Sequence, residues 1–137
     1  MKKQVYTYPI TIKEVYLDLY GHVNNATYLT LFEEARWDLS NQNGYGVEKI
    51  KETGQGPVIL EVTMRFLKEL RLRDKINIET SVVSYEKKIG KLLQKMVRES
   101  EICCTAEFTI GLFDLKERKL IPPTPEWLKV IGYSVET

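Results

Sequence analysis

Residues 18–28 read DLYGHVNNATY and hold the only histidine of the chain, His22, beside Asp18, Gly21, Asn24 and Asn25. An apolar strand-like run precedes this stretch and an apolar helix-like run follows it. Where a coil becomes a helix, the first turn leaves several backbone N–H groups without intrahelical partners, and the aligned peptide dipoles add positive potential. Such a terminus can hold an anion, or the carbonyl oxygen that becomes one during acyl transfer. Asp18 lies a short loop upstream, and Gly21 lets that loop turn back because it tolerates positive φ. A carboxylate facing a carbonyl held in this way can attack as a nucleophile or draw a proton from water. One carboxylate and one oxyanion site make a minimal hydrolase. The same residue types also have a plainer use: Asp and Asn ahead of a helix are common caps, and loop histidines often bond backbone carbonyls. Both readings stand on residue types alone.

The elements on either side have to position this junction. Residues 3–12, KQVYTYPITI, are β-branched and aromatic and predict a first strand, with Pro9 marking an edge or a bulge. After the junction, Tyr28, Phe32, Ala35 and Leu39 recur at the spacing of an amphipathic helix. Leu29, Leu31 and Trp37 widen that stripe, which predicts a helix wrapped by the rest of the fold. Asn24 or Asn25 suits its N-cap, and Asn43-Gly44 its end. The second half alternates with a period of two over residues 58–66, 76–82 and 102–112, and less cleanly over 91–101. Four half-buried strands with short connections imply an antiparallel meander. The run EKKIGK at 86–91 reads as an exposed hairpin turn, and Gly54-Gln55-Gly56 as a turn before a strand. Thr124-Pro125 opens a short final helix that Gly132 ends. A sheet must have its apolar face covered, and only the long helix is large enough to do so. The expected architecture is α+β: one domain over residues 1–137, with a five-stranded antiparallel sheet around one long central helix and a short C-terminal helix.

Bulk properties exclude several function classes. The 137 residues carry 20 Lys plus Arg against 19 Asp plus Glu, a net charge of +1. That balance offers no electrostatic reason to bind nucleic acid or an acidic membrane. No apolar run is long enough to span a bilayer, and residues 1–12 lack the features of a signal peptide, so a cytoplasmic location is expected. Cys103 and Cys104 are adjacent; on a regular strand they point to opposite faces, which argues for two reduced thiols. One histidine and two vicinal cysteines make no zinc set, so no metal and no cofactor are expected. The chain has no G-x-S-x-G elbow, which argues against a serine hydrolase. Lys87, Lys88 and Lys91 can be read as solvated hairpin lysines or as contacts to the phosphates of coenzyme A.

The pattern D-x-x-G-H-V-N-N-x-x-Y-L from Asp18 to Leu29, followed by F-E-E-A-R-W from Phe32 to Trp37, resembles the signature of hot-dog-fold acyl-CoA thioesterases. The nearest group is the 4-hydroxybenzoyl-CoA thioesterase type, which shares this opening with acyl-carrier-protein thioesterases of plants and bacteria. The connection FLKELRLRDKI at 66–76 is similar to the same family's. The resemblance implies a helix buried in a curved sheet, and a homodimer or homotetramer with active sites at the subunit interface. It implies Asp18 as the catalytic carboxylate and the backbone N–H of Asn25 as donor to the thioester carbonyl. His22 and Asn24 would shape the loop, and Glu34 would stand opposite the site. Read as residues, Tyr16, Tyr20, Tyr28 and Phe32 suit the lining of an aryl or alkyl substrate pocket, and core packing accounts for Tyr28 and Phe32 equally well. The substrate would be an acyl-CoA or an acyl group on carrier protein. The family often has Arg-x-x-Asp ahead of the catalytic aspartate, where this chain has Lys13 and Tyr16. Two other functions fit the same fold. An enoyl thioester hydratase or dehydratase would use a histidine with an acidic partner, although its usual Asn-Pro between the two is here Leu19-Tyr20-Gly21. A non-catalytic domain would merely bind the acyl thioester.

Overall fold

The computed structural model describes residues 4–133. In chain order it contains β1 (Tyr6–Thr11), a 3₁₀ turn at Glu14–Tyr16, α1 (Asn25–Gln42), α2 (Val47–Thr53), β2 (Gln55–Phe66), β3 (Lys75–Glu86), β4 (Ile89–Arg98), β5 (Glu101–Asp114), β6 (Lys119–Ile121) and α3 (Pro125–Val130). The strands form a single antiparallel sheet in the order β1-β3-β4-β5-β2, with β6 added beside β5. The sheet therefore has six strands where the alternation predicts five. β4 pairs with β5 only as far as Ile110, and β6 takes up the edge of β5 from Leu112 to Asp114. Three residues between a turn and two prolines are too few to show a period.

The long helix begins and ends where its caps predict. Asn24 is the N-cap, its side-chain oxygen accepting the Ala26 N–H, and Asn43 closes the helix ahead of Gly44 at φ 82°. α1 lays Tyr28, Leu31, Phe32, Ala35 and Leu39 against the sheet, where β3, β4 and β5 supply Ile78, Val82, Met96, Phe108 and Ile110. Phe32 meets Phe108 edge-on at 6.0 Å. The helix is not wrapped on all sides, however. Leu29 and Trp37 remain 40% and 36% exposed, because they project past β5 toward β2 rather than into the core. α2 has no counterpart in the sequence expectations. Its seven residues show no face, and only Gly54, at φ 72° and donating to the Ile50 carbonyl, marks its end.

One polar group crosses the core. Gln94 is fully buried on β4; its amide nitrogen donates to the Phe32 carbonyl (3.1 Å) and to Thr80 Oγ1 (3.0 Å). Its amide oxygen accepts from Arg36 Nη1 at 2.9 Å. With these groups satisfied, the network joins the middle of α1 to β3 and β4 in a fixed relation. Both cysteines are buried and unpaired, which differs from a regular strand in that they share the interior. The β4–β5 register shifts between Met96 and Val97, leaving Cys103 unpaired and turning it inward. Burial pushes the Cys104 thiol up to about 12 and raises that of Cys103, so neither suits a nucleophile.

The β2–β3 connection is braced by ionic contacts. Arg98 donates to Asp74 Oδ2 (2.8 Å), Glu101 Oε1 (2.6 Å) and the Glu69 carbonyl (3.0 Å). Partial burial opposes ionisation of Asp74, but the Arg71 N–H and the Arg98 guanidinium outweigh it and hold the carboxyl below the usual carboxylate range. A depressed carboxyl contributes stability above its unfolded pKa, about 3.9, and loses it as pH falls through the lower folded value. Asp74→Asn is therefore expected to melt about 3–6 °C below the wild type at pH 7. That gap should narrow below pH ~3.5, as read from thermal melts across the range. A gap unchanged at acid pH would exclude the charge of Asp74 as its source.

Candidate active site

The loop between the 3₁₀ turn and α1 closes on itself. The Asp18 N–H donates to the His22 carbonyl (2.8 Å) and the Gly21 N–H to the Asp18 carbonyl (3.2 Å), with Gly21 at φ 81°. Asp18 Oδ1 accepts the N–H of Tyr20 (2.8 Å) and of His22 (3.2 Å). Asp18 Oδ2 has no hydrogen-bond partner among the described residues. The carboxylate is thus held by one oxygen and presents the other. Two further contacts anchor the loop to the body: Asn24 N–H to the Tyr16 carbonyl (2.8 Å), and Val23 N–H to the Leu70 carbonyl (3.3 Å).

At the helix start the donors are divided in a specific way. Asn24 satisfies the Ala26 N–H through its side chain (2.9 Å) and the Thr27 N–H through its carbonyl (2.9 Å). The N–H of Asn25, the first helical residue, has no partner among the described residues. It is the orphan donor of an 18-residue helix, at the positive end of its dipole.

Asp18, His22, Asn24, Asn25 and Tyr28 line one open cleft of about 310 Å³, together with Phe66, Lys68 and Glu69. Five residues singled out in the sequence are thereby brought together. Glu34 is not. Nine residues beyond Asn25, at about 100° per residue, a side chain lies on the opposite face of the helix. There Glu34 Oε2 accepts the Tyr8 hydroxyl at 2.6 Å, and this bond pushes the Tyr8 phenol up to about 12. Glu34 ties α1 to β1 and does not line the cleft. Tyr20 is 84% exposed and also lies outside the lining.

Residues without an assigned role form the far wall. Phe66 packs edge-on against Tyr28 with ring centres 5.0 Å apart. His22 Nε2 lies 2.7 Å from Glu69 Oε2, and Glu69 is bonded in turn to Arg71. The Arg71 guanidinium is the first cause holding the Glu69 carboxyl below its ordinary range, with His22 contributing. The ring of His22 is thus partnered by Glu69, while Asp18 accepts only the backbone N–H of that residue. The one sequence signal for this wall was FLKEL, part of the family resemblance but silent about contacts. Among the described residues, no helix is long and apolar enough to cross a membrane.

The fold has counterparts among known proteins. Residues 13–131 match the model of the thioesterase-like superfamily. The long-chain acyl-CoA thioesterase FadM of Escherichia coli is 30% identical over 115 residues, 82% of this chain and 86% of that protein. The crystal structure of YbaW, a probable thioesterase of Escherichia coli, superposes with a TM-score of 0.81 at 27% identity, covering 92% of this chain and 96% of that one. A Staphylococcus aureus protein solved in complex with CoA superposes at 0.87 with 19% identity, covering 100% of this chain and 90% of that one. The likeness at this low identity is one of fold, the hot-dog arrangement of thioesterases. A family match across that span, beside a relative alike along most of both lengths, makes this chain a member of the thioesterase-like superfamily.

Proposed function

We propose that the protein is a thioesterase of the 4-hydroxybenzoyl-CoA type, hydrolysing an acyl-CoA or an acyl group on carrier protein with Asp18 as its catalytic carboxylate. The observation that carries this reading is the pairing, in one cleft, of a carboxylate oxygen and a helix-terminal N–H that both lack partners among the described residues. In the proposed reaction the thioester carbonyl accepts the Asn25 N–H. As the carbonyl carbon becomes tetrahedral, the charge on its oxygen grows, and a preoriented donor at a helix N-terminus stabilises it. Asp18 Oδ2 either adds to the carbon or takes a proton from the water that does. Collapse breaks the C–S bond. With Asp18 as base, the proton it took passes to the departing thiolate. With Asp18 as nucleophile, water protonates the thiolate and hydrolyses the acyl anhydride, so either route leaves thiol and free acid. The two N–H bonds to Oδ1 fix the carboxylate's rotamer, so little reorganisation is required as the reaction proceeds. Asn24 keeps the Asn25 donor free by taking up its neighbours' N–H groups, and the His22–Glu69 contact braces the loop. Tyr28 forms the inner wall.

The names of relatives support this substrate class: FadM is named for long-chain acyl-CoA, and an Arabidopsis thaliana relative for acyl-acyl carrier protein. The hydratase reading is disfavoured because Leu19-Tyr20-Gly21 stands where its usual Asn-Pro would be, and because the acidic partner of the His22 ring is Glu69 of the cleft wall rather than Asp18. We also assign the working form to a homodimer or homotetramer. β2 is a twelve-residue edge strand with Ile59, Leu60 and Val62 more than one-third exposed, the kind of edge a second copy would cover. The test is free-thiol release from short, long and aromatic acyl-CoAs by the purified protein, sedimenting at twice or four times 16.0 kDa. Release of thiol with at least one class is expected. Loss of enoyl-CoA absorbance without free thiol would transfer the protein to the hydratases, and tight binding without turnover would make it a binding domain.

A further inference from the structure

The loop that carries Asp18 has few ties to the rest of the protein. Leu17 and Val23 close its base as an antiparallel bridge, and within it residues 18–22 bond to one another. Leu19 and Tyr20 are exposed, and Gly21 has no side chain. Among the described residues, one side-chain hydrogen bond or ion pair links residues 18–22 to another element: His22 Nε2 to Glu69 Oε2 at 2.7 Å. His22 is engaged at both ends. Its ring reaches Glu69, while its backbone N–H bonds the Asp18 carboxylate (3.2 Å) and its carbonyl accepts the Asp18 N–H (2.8 Å). A displacement of the ring therefore displaces the main-chain groups that orient the carboxylate.

Glu69 is fixed much more firmly. Arg71 donates to Glu69 Oε1 through Nε (3.0 Å) and Nη2, which leaves Oε2 for the histidine. The Glu69 carbonyl accepts Arg98 Nη1 (3.0 Å), and Arg98 is bonded at the same time to Asp74 and Glu101. Just upstream, the N–H groups of Leu67 and Lys68 both donate to the Cys103 carbonyl of β5 (2.9 and 3.0 Å). Residues 67–69 thus form a shelf anchored to β4 and β5, from which Glu69 presents one carboxylate oxygen. The His22 and Glu69 side chains are 40% and 41% exposed, and ion pairs so exposed contribute little to stability. The contact suits orientation instead. An ionised carboxylate only accepts, so the ring nitrogen bonded to Glu69 carries the hydrogen, which sets the tautomer and direction of the imidazole.

We propose that Glu69 is a positioning residue for turnover: through the His22 ring it holds the Asp18 loop at its working distance from the Asn25 N–H. The proposal rests on the thioesterase reading. Glu69 takes no part in bond making. It keeps the carboxylate from drifting relative to a donor that α1 holds still. A misplacement of about 1 Å in a reacting group can cost on the order of a hundredfold in rate, whereas binding draws on a wider set of contacts.

Steady-state thiol release from the best acyl-CoA tests this, on the wild type, Glu69→Ala, His22→Ala, His22→Gln and the double alanine variant. Glu69→Ala and His22→Ala are each expected to lower kcat about 10- to 50-fold, with KM within about threefold. The double variant should fall no further than either alone, because both changes remove one contact. His22→Gln, whose amide nitrogen can still donate to Glu69, should recover kcat to within about fivefold of the wild type. Additive losses overturn the proposal, since the two residues then act apart. A rise in KM at constant kcat overturns it by making the contact part of binding. His22→Gln as impaired as His22→Ala overturns it in favour of chemistry at the imidazole. Wild-type kcat in Glu69→Ala, beside a disabled Asp18→Asn, overturns it while the thioesterase reading stands. Wild-type protein that releases no thiol from any acyl-CoA overturns the thioesterase reading itself. Thermal melts accompany the kinetics; should Glu69→Ala not fold, His22→Ala against His22→Gln decides.

Discussion

Asp18→Asn is expected to lower kcat for thiol release by about a hundredfold or more while leaving KM within a few-fold, as expected for losing a nucleophile or general base. The substitution isolates charge from shape. Asn Oδ1 can still accept the Tyr20 and His22 N–H groups, so the loop that closes on residue 18 retains its bonds. What disappears is the negative charge of a carboxylate whose second oxygen has no partner among the described residues. Asn cannot take a proton from water and is a poor nucleophile toward a thioester. Binding, by contrast, draws on the cleft walls and the Asn25 donor, which the change leaves in place. Steady-state kinetics on the best acyl-CoA, with a melt to confirm the fold, make the check. Turnover near the wild-type rate would remove Asp18 from the mechanism, whatever its position.

The second large effect is expected from deleting a single backbone hydrogen. Asn25→Pro should reduce kcat about 10²–10³-fold, the loss typical of one oxyanion donor. Proline is normally a poor choice in a helix, but residue 25 is the first helical position, where the ring's fixed φ suits the helix and no intrahelical bond is lost. The preceding residue must then be extended, and Asn24 already is, at φ −60° and ψ 139°. Helicity and stability should therefore be close to those of the wild type. Asn25→Ala is the control, since it removes the side-chain amide and keeps the N–H; a change of less than about fivefold is expected from it. Equal losses in both variants would assign the role to the amide side chain, and an active proline variant would show that the N–H does not hold the oxyanion.

Much of this site was legible in residues 18–28 because its geometry is made by near neighbours. A capping Asn, a glycine at positive φ and an Asp that bonds amides two and four residues on are all contacts within a few residues. The strand alternation from 76 to 112 was legible for the same reason, as each residue's face is set by its parity. Where parity fails, so does the reading. The shift at Cys103 puts both cysteines inside, and the one at Leu60 turns Ile59 to the face it shares with Ile110. Glu34 illustrates a different limit. Its place in the FEEARW run suggested the site, but helical rotation carries it to Tyr8, a partner 26 residues away.

The long helix followed by four strands, the start of α1 and the residue types gathered at its tip were determined by the sequence itself, since they follow from local periodicity and capping. Tertiary structure decided which contacts cross the chain: Glu69 behind His22, Gln94 beneath α1, and an edge strand whose inner face no helix covers. Those contacts join residues 47 to 62 positions apart or depend on a single register shift. No local pattern encodes them, because they are chosen only when the whole sheet and helix pack together.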